Sequence, residues 1–301
     1  MNRVPHLRIY EKNNNDKAKT SLTHPSACCG VHWIEMKQVK TLANYWRKPV
    51  RKSIIGLAIL VLMLVLTVPA SAITYGQPDG QLHPFVGALV GTFGDQTYPY
   101  CSGTLIAPTV FLTAAHCDIG TTIVYVTFDT QYTAKSKLYR GTFHGDPLYN
   151  QVQSDPHDIA VVVLDKPIKN LTPAQLPVLG QFDQLPKDQK FTSVGYGGQE
   201  PVNQPGGPVI GYLDKREYSV GTLNAINPAW LRISQNPAKG DGGTCYGDSG
   251  GPNFLGAGDG ETDIVAGVTI TGDTLCRATN VTYRTDSASA RNFLSGYVTL
   301  P

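Results

Sequence analysis

The sequence predicts an all-β protein made of barrels or sandwiched sheets, and two observations carry that expectation. From residue 73 onward, β-branched and aromatic runs are short, and Gly, Pro, Asp and Asn separate them at close intervals. Only the end of the chain reads as helix, where an N-cap in Thr285-Asp286-Ser287 precedes the helix formers 288–294. Taken in order, the first set of predicted strands covers residues 85–90, 110–113, 122–128 and 160–164. A second set covers 190–194, 217–223, 230–234, 264–270 and 281–284. Between the sets lies a seam rich in Pro, Gln and Asp at 177–186, which marks a boundary between two units, 73–180 and 181–301.

The 301 residues are ample for a sizeable core, but the formal charge of +2 is unevenly distributed. Eleven of the 25 Lys and Arg precede residue 73, with three of the 23 Asp and Glu, so 25 − 11 leaves 14 basic and 23 − 3 leaves 20 acidic. A net charge of −6 over 73–301 argues against a nucleic-acid or anionic-membrane surface there. Residues 1–53 are a polar extension without apolar periodicity, and Met36 offers an alternative start. Within 47–72, a basic stretch (Arg47, Lys48, Arg51, Lys52), a 13-residue apolar run over 54–66 and Ala70-Ser71-Ala72 read as a secretory signal peptide cleaved after Ala72. The run is shorter than the roughly 20 residues a spanning helix needs, so no stable membrane association is expected.

Chemistry concentrates in three motifs. Cys245-Tyr246-Gly247-Asp248-Ser249-Gly250-Gly251 surrounds a serine with glycines, which let main-chain N–H groups approach a substrate carbonyl. A serine hydroxyl needs a base, and Thr113-Ala114-Ala115-His116-Cys117 supplies one. Asp158, directly before an apolar strand, supplies an acid that can orient it. At these three points the sequence resembles the chymotrypsin/trypsin family of serine proteases, in the family's order of His, Asp and Ser. The intervals are 158 − 116 = 42 and 249 − 158 = 91 residues, and Gly195-Tyr196-Gly197 is similar to the family's Gly-Trp-Gly.

That resemblance implies two six-stranded antiparallel β-barrels with a cleft between them and a C-terminal helix. It also implies a secreted, monomeric serine endopeptidase that acts on peptide or protein substrates without a cofactor or metal; the alternatives are a catalytically weak binding or regulatory protein on the same fold, or a membrane-tethered protease if the leader is not cleaved. Carried over residue by residue, His116 is the general base, Asp158 its orienting acid and Ser249 the nucleophile, with an oxyanion hole from the N–H groups of Gly247 and Ser249. Of three connectivities open to the four cysteines after residue 73, the resemblance selects Cys101–Cys117 and Cys245–Cys276. Gly243 falls at the floor of the primary pocket, with Asp241 a displaced acidic alternative. Ile270-Thr271-Gly272 stands where relatives have Ser-Trp-Gly, and Val281 where a wall glycine is common. These substitutions predict a preference for small or medium apolar side chains. A new N-terminus at Ile73 is expected to pair with Asp248. Asp146, Asp155, His144 and His157 are assigned to loop surface. Asn170-Leu171-Thr172 and Asn280-Val281-Thr282 are glycosylation sequons, meaningful in a eukaryotic secretory pathway.

Overall fold

The computed structural model describes residues 73–151 and 154–301, so the signal-peptide reading and the polar extension lie outside the described residues. The first barrel is closed by β2 (Val86–Phe93), β3 (Gln96–Ala107), β4 (Val110–Thr113), β5 (Ile123–Thr127), β6 (Tyr139–Gly145) and β7 (Ala160–Leu164). All pairings are antiparallel, in the order β2-β3-β4-β7-β6-β5. Strand β5 shows why these residues form strands, because Val124 and Val126 point into the core while Ile123 and Tyr125 are exposed. Leu89, Leu105, Phe111, Val126 and Val162 fill the interior.

The second barrel comprises β8 (Lys190–Gly195), β11 (Glu217–Ile226), β12 (Trp230–Ser234), β13 (Pro252–Leu255), β14 (Val265–Gly272) and β15 (Thr279–Arg284). Its order is β11-β12-β15-β14-β13-β8, closed by the β11–β8 pairing. The short strand β1 (Gln77–Pro78) pairs with β11, so the N-terminal stretch that the sequence places with the first unit joins the second. A hairpin of β9 (Val202–Gln204) and β10 (Gly207–Val209) stands apart, and helix α1 (Ala288–Leu294) ends the fold with Ala290 and Leu294 buried. The Ser287 hydroxyl caps that helix by accepting from the Ala290 N–H.

The sequence reading misses β1, β3, β6, β13 and the hairpin. In β3, Pro99 interrupts the strand pattern, but the ladder shifts there between Leu89 and Val90, and a bulge tolerates proline. One sequon is also corrected. Asn280 is fully buried and its amide donates to Asn253 Oδ1 at 2.8 Å, so the folded chain does not present it to solvent.

A buried ionic cluster joins the two barrels. Arg216, the largest fully buried side chain, donates to Asp79 at 2.7 Å and to the carbonyls of Val86 and Phe128 at 3.0 and 3.1 Å in the first barrel. Beside it, His83 is held through Nδ1 by Asp79 and through Nε2 by Glu261, with its ring stacked on Phe254. Burial opposes a charge on this ring, but the hydrogen bonds to Asp79 and Glu261 outweigh it and push the His83 pKa up to about 9. A raised folded-state value means that the folded chain binds the extra proton. The stabilisation is therefore complete below the unfolded value of about 6.5 and is lost as pH rises through about 9. Denaturant melts should show a loss of roughly 3 kcal/mol across that window, and the slope should flatten in His83→Gln. An unchanged slope in the variant would remove His83 as its source.

Candidate active site

Strand β4 ends at Thr113, and a short 3-10 turn, Ala115–Cys117, carries His116 out of the buried wall. Asp158 sits two residues before β7, which pairs directly with β4, so one register brings the two side chains together. His116 Nδ1 lies 2.7 Å from Asp158 Oδ2, and the His116 main-chain N–H donates to Asp158 Oδ1 at 2.9 Å. Both carboxylate oxygens are thus used on one residue, which fixes the ring's tilt and leaves Nε2 as the nitrogen facing outward. Asp158 is buried and His116 is partly exposed.

Ser249 stands on a loop between the Cys245–Cys276 disulfide and β13. The loop is bonded to the first barrel. The Ser102 N–H donates to the Ser249 carbonyl at 2.8 Å, and the Ser102 hydroxyl donates to the Gly247 carbonyl at 2.9 Å. The other disulfide, Cys101–Cys117, brings the Cys117 sulfur within 3.7 Å of the Ser249 carbonyl oxygen, so the residue next to His116 abuts the serine. Gly247 and Gly250 have φ of +97° and +81°, conformations that glycine adopts at little cost. Among the described residues, the N–H groups of Gly247 and Ser249 make no hydrogen bond. They therefore remain available to a substrate oxygen.

Two cavities meet at this point. Ser249 lines one of about 210 Å³ together with Thr244, Thr269, Thr271 and Asp273. His116 and Asp158 line a larger cleft of about 540 Å³ with Trp230, Arg232 and Val281, and the two share Ile270 and Thr271. The sharing follows from a bulge in β14 between Thr269 and Thr271, which turns Ile270 toward the opening.

Several placements differ from the sequence reading. Val281 lines the larger cleft and not the cavity at Ser249. Asp241 does not line the cavity at Ser249; it is buried, and its Oδ1 accepts from Thr222 Oγ1 at 2.6 Å and Lys190 Nζ at 3.2 Å. The residue packed on Gly243 is Gln235, eight positions earlier and unmarked by any local motif. Asp146 and Asp155 are more than loop surface. Asp146 is buried against His157, and Asp155 accepts the Tyr283 hydroxyl at 2.8 Å, tying the Asp158 loop to the second barrel.

The pair expected of a new N-terminus at Ile73 involves an ammonium, whereas the Ile73 nitrogen here is a peptide amide. The Ile73 main-chain nitrogen donates to Glu217 Oε2 at 3.3 Å, and Asp248 accepts instead from the N–H groups of Gly197 and Cys245, both at 2.8 Å. Gly195 and Gly197 are required here, since a Cβ on either would come 2.2 or 2.3 Å from an Asp248 oxygen. Burial pushes the Asp248 carboxyl up to about 7, the two N–H groups restrain the rise, and the Glu217 charge adds to it.

Two antiparallel barrels, one carrying a histidine–carboxylate pair and the other a glycine-wrapped serine, are the arrangement of the trypsin-like serine protease class. Residues 76–294 match the family described as Trypsin, and the chain belongs to that family. It is 30% identical over 185 residues to a trypsin of Saccharopolyspora erythraea, spanning 57% of this chain and 76% of that one. A chymotrypsin of Phaedon cochleariae is 26% identical over 208 residues, 65% of this chain and 71% of the other. Glucanase inhibitor protein 2 of Phytophthora sojae is 27% identical over 199 residues, 62% and 65% respectively.

The nucleophile loop gives a direct test of this packing. A Cβ at Gly250 would lie 2.1 Å from Thr113 Oγ1 and 2.4 Å from the Ser102 carbonyl, at a φ that disfavours any side chain. Gly250→Ala should cost on the order of 3 kcal/mol in a urea melt, summing backbone strain and overpacking. A loss below 1 kcal/mol would show that the loop has room the structure denies it.

Proposed function

We propose that the chain is an exported serine endopeptidase working through an acyl-enzyme. The observation that carries the reading is the 2.7 Å contact between His116 Nδ1 and Asp158 Oδ2 beside the cavity that Ser249 lines. In this reading His116 Nε2 takes the Ser249 proton as Oγ bonds to the substrate carbonyl carbon. Asp158 holds the tautomer and stabilises the imidazolium. The N–H groups of Gly247 and Ser249 receive the developing oxyanion, each worth roughly 3–4 kcal/mol in such enzymes. The proton then passes to the leaving amine as the C–N bond breaks, and water, deprotonated by His116, hydrolyses the acyl ester.

An inhibitor among the relatives raises a second reading, a binding protein on the same fold. Retention of all three residue types, with the His116–Asp158 contact, favours the peptidase. Two disulfides suit an extracytoplasmic setting. Among the described residues no helix is long and apolar enough to cross a membrane. Ser249→Ala and His116→Ala should each lower kcat by about 10⁴–10⁶, and the double variant should be little worse than either. Wild-type turnover in a folded single variant would favour the binding-protein reading.

Activation is part of the same proposal. Ile73 is fully buried, and its nitrogen rests on Glu217, whose charge Asp248 feels. Cleavage before Ile73 converts that amide into an ammonium beside negative charge, which lowers the Asp248 pKa and favours the ionised form. A Met-Ile73 form should lose roughly 100-fold in kcat/KM, because a misplaced cation leaves buried carboxylate charge uncompensated. Full activity with the extra residue still present, checked by N-terminal sequencing, would sink the activation step.

A further inference from the structure

We propose that Gln235 sets the depth of the primary pocket: its side chain fills the floor and confines the pocket to short side chains. The proposal rests on the peptidase reading and deepens it. Gln235 follows β12 directly and is fully buried, so nothing exposed in the cavity lining marks it. A Cβ added to Gly243 would fall 2.0 Å from Gln235 Oε1 and 2.3 Å from Gln235 Cβ. The glycine at the floor is therefore not empty space. The glutamine occupies the volume that a floor side chain would need.

The amide is also held at both ends. Oε1 accepts the Thr244 N–H at 2.8 Å, while Nε2 donates to Asp273 Oδ1 at 3.3 Å. Thr244 and Asp273 both line the cavity at Ser249, so Gln235 is a strut beneath it that joins opposite walls. Its main-chain N–H donates to the Ala278 carbonyl at 3.1 Å, which fixes the third side. Asp273 in turn gathers the N–H groups of Arg277, Ala278 and Thr279 at 3.1, 2.8 and 2.8 Å. Swinging Gln235 aside would strand the Thr244 N–H without a partner, so a long substrate side chain cannot open the floor by displacing it cheaply. Asp273 is the acid nearest this pocket, and the glutamine amide and three main-chain donors occupy its oxygens. Those four donors already satisfy Asp273, so it offers an entering Lys or Arg side chain little compensation for lost hydration.

The substrate class that follows is a peptide with Gly, Ala, Ser or Val on the acyl side of the cut. The test compares kcat/KM for matched peptide amides carrying Ala, Val, Phe or Lys at that position, in the wild type and in Gln235→Ala, Gln235→Asn and Gln235→Met. The wild type should favour Ala and Val over Phe and Lys. Gln235→Ala should raise the Phe-to-Ala ratio at least about tenfold, since pocket discrimination runs at 10–200-fold per methylene. Gln235→Met should leave the ratio within about threefold of wild type, because a thioether of similar length refills the volume. A strut with a purely structural role would lower all four rates together and leave the ratios unchanged. Should the alanine variant fail to fold, the shorter amide of Gln235→Asn should still raise the ratio.

A fluorophosphonate reagent without a side chain at that position counts active Ser249 in each preparation. No labelling in the wild type would overturn the peptidase reading and this proposal with it. Labelling with an unchanged ratio in the shortened variants, or a wild type that prefers Phe or Lys, would overturn this proposal alone.

Discussion

The relation between the two barrels depends on one buried cluster of charges, Arg216, Asp79, His83 and Glu261. Two cations and two carboxylates balance one another there, and neither barrel contains the whole set. Asp79 and His83 lie on the N-terminal stretch, Glu261 precedes β14, and Arg216 leads into β11 while donating to first-barrel carbonyls. Buried ion pairs are poor sources of net stability, since desolvation offsets much of the attraction. Breaking one by removing a partner is costly, however, and that asymmetry makes them good at excluding other geometries. This cluster ties residues of both barrels together at hydrogen-bond distance, and the cleft lined by His116 of the first and Trp230 of the second is built on that contact.

That docking matters because the site has parts on both sides. His116 and Asp158 belong to the first barrel, whereas Ser249 belongs to a loop of the second. The second-barrel loop is bonded across the cleft through Ser102, whose hydroxyl donates to Gly247 and accepts from the Tyr196 N–H at 3.0 Å. Asp155 makes the reciprocal link from the first barrel to Tyr283. Reacting groups must be held to within a fraction of an ångström, and short bonds from each barrel into the other's loops are the means available.

The all-β class, most strands and the chemical motifs were legible in the sequence. His116, Asp158 and Ser249 stand in short local patterns because the strand, the turn and the chemistry are specified within a few residues of each. Gly243 was legible as an absence of charge, but its consequence was not. What fills the space beside it comes from Gln235, whose position depends on β12–β15 register and on the disulfide loop that carries Asp273. Ser102, Glu217 and the Asp155–Tyr283 link were illegible for the same reason: each acts over a long sequence separation, and nothing local distinguishes it from an ordinary polar residue. Asp241 failed in the opposite direction. Proximity in sequence suggested a pocket acid, while the fold buries Asp241 outside the cavity lining, with its Oδ1 on Thr222 and Lys190.

Charge balance also separates the rigid parts of the molecule from the part that can change state. The Arg216 cluster is neutral overall, and buried Arg284 is matched by Asp286 at 2.8 Å and Asp183 at 2.6 Å. Asp248 is different. Its carboxylate accepts from two main-chain N–H groups, while burial and the Glu217 charge oppose ionisation, and its pKa rises to about 7. A carboxyl at that value is divided between two protonation states near neutrality, one residue before Ser249. The paired clusters hold their charges against one another, whereas the charge next to Ser249 answers to burial and to Glu217, with the Gly197 and Cys245 N–H groups as its hydrogen-bond partners.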